Sequence, residues 1–90
     1  MWWQIKKHLI AGNLCESGDV FNENKKELRS LPHLKESDIL AILNAGAYGF
    51  SMSSEYNLRP RPAEVAIVEG KDRLIRKREV YQDVTRNQIL

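Results

Sequence analysis

Cysteine occurs once in these 90 residues, aromatic side chains make up 8%, and glycine and proline number only five and three. A single thiol excludes an internal disulfide framework and fits a reducing compartment. His8 and His33 are the only histidines, and neither has a cysteine or histidine at ligand spacing, so the pattern of a zinc site is missing. No apolar run approaches the roughly 20 residues that span a bilayer. Lys6, Lys7 and His8 stand where a signal peptide needs a continuous apolar core. The expectation is a soluble, cytoplasmic chain with no membrane partner. An excess of one charge is also lacking, because 14 basic against 12 acidic residues leave a net charge of +2. Arg73, Arg76, Lys77 and Arg78 stand among apolar residues and read as a solvated strand face, so a nucleic-acid partner is not expected.

Ninety residues suffice for one small domain, burying only about 60–65% of the extended-chain surface. Residues 2–14 lack a helical period and end at Gly12-Asn13, which reads as a strand running into a turn. Residues 22–38 are mostly polar with Pro32 inside, a surface connection with room for one helical turn before the proline. The apolar run 39–43 is short enough for a strand buried on both faces, although Leu and Ala equally allow helix. Arg59-Pro60-Arg61-Pro62 reads as extended. The runs 63–68 and 73–78 around Glu69-Gly70-Lys71-Asp72 read as a hairpin. Residues 79–90 allow a brief terminal helix or a frayed end. No repeat, linker or domain boundary is visible.

Two stretches carry the chemistry. Cys15-Glu16-Ser17-Gly18-Asp19 sets the one thiol beside a carboxylate on a glycine turn that follows an apolar run, offering a proton donor and an anionic recognition group to one small ligand. The competing reading is a small buried hydrophobe. About thirty residues downstream lies Gly46-Ala47-Tyr48-Gly49-Phe50-Ser51-Met52-Ser53-Ser54, followed by Tyr56-Asn57 and Arg59-Pro60-Arg61-Pro62-Ala63-Glu64-Val65. Gly46 and Gly49 flank Tyr48, which suits a loop wrapped against a ligand and equally an ordinary turn with a packed tyrosine.

In that order and spacing, from about Leu9 to Tyr81, the three blocks resemble the C-terminal end of the diaminopimelate decarboxylases, within the pyridoxal-phosphate-dependent ornithine, diaminopimelate and arginine decarboxylase family. The resemblance implies a mostly β fold: part of the C-terminal β-barrel or sandwich domain of an alanine-racemase-like decarboxylase, with a short terminal helix and without the (β/α)8 barrel. Residues 1–90 would then form a single partial domain. It tips the run 39–43 toward strand.

The resemblance further implies a lyase that removes a carboxylate from meso-diaminopimelate to give L-lysine, at a site where one subunit's C-terminal domain meets the other's barrel in a homodimer. The cofactor would be pyridoxal phosphate, attached to a lysine outside this chain, since neither Lys6 nor Lys7 sits in a matching motif. Carried over by position, Cys15 is the proton donor and Glu16 binds the distal amino group of the substrate. Tyr48 lies near the cofactor phosphate and the substrate. Asp19 closes the cysteine motif as a turn or dimer contact. Trp2, Trp3, Arg59 and Arg61 receive no role, and Asn13 stands where the family commonly has proline. Alone, the chain would be inactive. The alternative is a non-catalytic binding or dimerisation module derived from the same family, but the presence of Cys15, Glu16 and Tyr48 together favours the lyase.

Overall fold

The computed structural model describes residues 4–21, 24 and 27–89. Trp2 and Trp3 therefore lie outside the described residues, as does Leu90. Among the described residues the regular structure is mostly strand, in the order β1 (Ile5–His8), β2 (Arg29–Pro32), a 3-10 turn (Tyr56–Leu58), β3 (Glu64–Val68), β4 (Lys71–Arg76) and a short α-helix, α1 (Tyr81–Thr85). The chain divides into two compact units, Met1–Ala41 and Ile42–Leu90.

In the first unit β1 and β2 pair antiparallel, with Ile5 opposite Pro32 and His8 opposite Arg29. Lys7 Nζ donates to Ser30 Oγ across the pair at 2.8 Å. The polar connection expected over 22–38 thus contains a strand, and among the described residues no helical turn precedes the proline. Pro32 is tolerated because it ends its strand in a two-stranded ladder, where a missing N–H costs little. Among the described residues the strand expected over 2–14 forms as Ile5–His8, followed by an isolated antiparallel bridge between Ala11 and Val20.

The second unit is built on the hairpin of β3 and β4, which pairs Val65 with Leu74 and Val68 with Lys71. Its loop is two residues long, shorter than the expected four, with Glu69 at φ 50° and Gly70 at φ 74°. That left-handed pair matches the twist of a hairpin, and the glycine carries it without a Cβ penalty. A register shift after Glu64 leaves Ile75 as the extra residue of a bulge. Helix α1 forms where a terminal helix was one of two options, and Asp83 closes its first turn by accepting the Val80 N–H at 2.8 Å.

One element is corrected. The run 39–43 forms neither strand nor helix, and Ile39 and Leu43 are 94% and 80% exposed. A strand needs a neighbour for its N–H and C=O groups, and among the described residues none pairs with this run. Among the described residues no side chain is fully buried, so neither hairpin has a closed core beneath it.

Candidate functional site

The cysteine motif is held by a hydrogen-bonded loop in the first unit. Phe21 N–H donates to Ile10 C=O at 3.0 Å and Gly12 N–H to Asp19 C=O at 2.8 Å, so two antiparallel segments pinch off residues 13–18. Inside, Asp19 N–H donates to Glu16 C=O at 3.1 Å and Val20 N–H to Gly18 C=O at 2.9 Å. Asp19 Oδ2 accepts the Leu14 N–H at 3.2 Å, which gives Asp19 the turn-stabilising place expected for it. A Cβ on Gly12 would collide with the Asp19 carboxylate, so a larger residue there must displace that side chain from its bond to Leu14.

The loop brings Cys15 and Glu16 together at its tip. Cys15 is exposed rather than a buried hydrophobe, and its thiol is free of any disulfide. Glu16 is half-buried, and its Oε1 accepts the Gly18 N–H at 3.0 Å. That bond fixes the orientation of the carboxylate at the loop tip.

Tyr48 stands in the second unit, on a loop closed by Gly49 N–H to Gly46 C=O at 3.3 Å, Met52 N–H to Tyr48 C=O at 3.0 Å and Ser53 N–H to Phe50 C=O at 3.0 Å. It is 73% exposed, which excludes the packed-tyrosine reading within this unit. Its φ is 65°, a left-handed conformation that costs a non-glycine residue about 1–2 kcal/mol. Gly49 belongs where it is because a Cβ would come within 2.6 Å of the Ala45 carbonyl oxygen.

Reading the sequence missed the role of two residues beside this loop. Two guanidinium groups stand over the ring of Phe50, with Arg76 Cζ 3.8 Å and Arg61 Cζ 5.4 Å from its centroid. Arg61 donates from Nη2 to the Ser53 C=O at 3.0 Å and reaches Glu79 at 3.5 Å and Glu55 at 3.6 Å through Nη1. No local sequence signal shows such partners, because they come from 53 to 79 in the chain. Just upstream, Asn57 and Leu58 are both left-handed, at φ 56° and 57°. Asparagine adopts this readily, whereas leucine does so only under constraint. Among the described residues no three His, Cys, Asp or Glu side chains gather as a metal would need.

Comparison with known proteins matches residues 4–46 to the family described as pyridoxal-dependent decarboxylase, C-terminal sheet domain. The diaminopimelate decarboxylase of Methanothermobacter thermautotrophicus is 57% identical over 79 residues, covering 88% of this chain and 18% of the relative. That of Bacillus subtilis is 46% identical over 77 residues, covering 86% and 17%. A solved structure described as a crystal structure of diaminopimelate decarboxylase superposes with a TM-score of 0.84 at 44% identity, covering 91% of this chain and 20% of the other. The chain therefore spans about a fifth of the length of the proteins it matches. A window of 79 residues cannot be placed on 90 without including Cys15, Glu16 and Tyr48. The family match alone includes Cys15 and Glu16 but stops before Tyr48. On these matches the chain belongs to the family of the C-terminal sheet domain of pyridoxal-dependent decarboxylases.

Proposed function

We propose that this chain is the C-terminal part of a cytoplasmic, pyridoxal-phosphate-dependent diaminopimelate decarboxylase, a partial domain completed by a barrel domain and working as a homodimer. The observation that carries the reading is the 57% identity to a diaminopimelate decarboxylase across a window that must contain Cys15, Glu16 and Tyr48. The exposure of Cys15 and Tyr48 supports it, since a group that serves a site completed by another domain has to stand clear of its own.

The residues present fit one edge of a phosphate-bearing cofactor rather than a whole cradle. Tyr48 offers an exposed phenolic donor, and the neighbouring Gly46 has nothing within 4 Å of where a Cβ would stand. Lys7 on β1 is bonded to Ser30 on β2, and both it and Lys6 are exposed strand residues. The attachment lysine is assigned to the barrel domain, as the family resemblance implies. Pyridoxal phosphate, when bound, supplies the electron sink for the pair left by the departing carboxylate.

Within that frame each side chain has a task. The Cys15 S–H bond breaks and its proton passes to the substrate carbon that lost the carboxylate; the thiolate left behind is reprotonated from solvent, which its place at the loop tip allows. The Glu16 carboxylate meets the ammonium at the far end of the substrate, a charge-assisted contact oriented by the Gly18 N–H. Tyr48 donates its hydroxyl proton in a hydrogen bond to an anionic oxygen. Exchanging the matching C-terminal segment of the Methanothermobacter relative for residues 12–90 of this chain tests the reading. Lysine and carbon dioxide formed from meso-diaminopimelate by the chimera support it. A folded, cofactor-loaded chimera without that activity overturns it.

A further inference from the structure

We propose that Arg61 is the positioning residue for Tyr48, acting through Ser53 and Phe50; the step from loop geometry to function rests on the reading of Tyr48 given above. Tyr48 is left-handed at φ 65° and 73% exposed, so packing of its own side chain within this unit does not hold it there. A strained backbone persists only where its surroundings over-determine it. The constraint must then come from the residues that follow it in the loop.

Two of those are tied to distant parts of the unit. Ser53 gives its carbonyl to Arg61 Nη2, and the guanidinium groups of Arg61 and Arg76 both stand over the Phe50 ring. Both arginines are themselves fixed. Arg76 pairs with Glu64 across the hairpin. Arg61 donates its backbone N–H to Glu79 Oε2 at 2.8 Å, accepts the Glu79 N–H on its carbonyl at 3.1 Å, and sets Nη1 between Glu79 and Glu55. Pro60 and Pro62 restrict the backbone on either side. One planar guanidinium thus joins the loop at residue 53, the ring at residue 50 and the segment at residue 79. The point charge of a lysine cannot serve all of these at once.

Hydrogen exchange of the folded, cofactor-loaded chimera, read by mass spectrometry on peptides spanning 44–55 and 64–76 of this chain, tests this directly. Arg61→Ala, Arg61→Lys and Phe50→Leu should each speed exchange in 44–55 about tenfold and leave 64–76 unchanged. Phe50→Tyr, which keeps the ring, should match the parent. Exchange in 44–55 that stays at the parental rate in both Arg61→Lys and Phe50→Leu overturns the proposal, and so does a rise shared equally by 64–76, which is general loosening. In the chimera, Arg61→Lys combined with Tyr48→Phe should lower kcat/KM no further than Tyr48→Phe alone, whereas additive losses overturn a role exercised through Tyr48. Should Tyr48→Phe leave kcat/KM untouched, the functional reading of Tyr48 fails, while the exchange rates still decide whether Arg61 holds the loop.

Discussion

The carboxylate of Asp19 occupies the space that a Cβ on Gly12 would need, and the same carboxylate accepts the Leu14 N–H at the mouth of the cysteine loop. The two residues act as one device, the glycine admitting the acid that closes the turn. Gly12→Ala should therefore push Asp19 off Leu14 and destabilise the loop by about 1–3 kcal/mol, the usual range for overpacking. Because one contact is lost in either case, Gly12→Ala should cost much less on an Asp19→Gly background. A double-mutant cycle on chimera stability measures this. Additive effects would show that the two positions are independent.

Glu16→Gln keeps the shape of the side chain and its acceptor for the Gly18 N–H but removes the charge. In the proposed site it leaves the substrate ammonium without a counter-charge, at a cost of about 2–5 kcal/mol if the pair is desolvated. The loss should appear mainly in KM for meso-diaminopimelate, with cofactor loading at the parental level. A chimera carrying Glu16→Gln with parental kcat/KM would remove Glu16 from the site.

What was legible in the sequence divides along physical lines. The β3–β4 hairpin was readable because its strand residues and its Glu69-Gly70 turn state the same structure locally. The turns around Cys15 and Tyr48 were readable from glycines next to reactive side chains. Strand β2 was hidden, since Arg29-Ser30-Leu31-Pro32 has little strand propensity and exists through its pairing with β1. The run 39–43 misled for the opposite reason: its composition suits a buried strand, yet nothing described in this chain covers or pairs it. The clasp of Arg61 and Phe50 depends on contacts among residues 50, 53, 61, 76 and 79, which no local pattern announces.

The isolated chain should self-associate. It exposes 8671 Å², against about 5,400 Å² for a folded monomer of its size. The excess, about 3,300 Å² on one chain, exceeds the roughly 1,000–2,500 Å² that each partner buries in an obligate interface. Ile39, Leu43, Met52 and Ile67 are each at least 70% exposed, and each two-stranded sheet leaves open edges that template further pairing. Sedimentation velocity should show species growing with concentration, and heating should give a broad transition. A monodisperse monomer that melts cooperatively would favour the stand-alone module instead.

The proposed arrangement has Cys15 of one subunit serving the cofactor lysine of the other, which makes the site testable by mixing. In the chimera, Cys15→Ala alone should retain cofactor and lower turnover by roughly 10²–10⁴, the usual worth of a positioned acid. A second chimera lacking the cofactor lysine should be inactive for a different reason. Random pairing of the two gives half mixed dimers, and in a two-fold assembly each mixed dimer holds one site with both groups intact and one with neither. About a quarter of parental activity should return, although each parent mutant is nearly inactive. If Cys15 served its own subunit, each site in a mixed dimer would lack one of the two groups, and mixing would restore nothing. Recovery without exchange of subunits, checked by mass spectrometry of the intact dimers, would equally defeat the arrangement, because complementation has to track the mixed species.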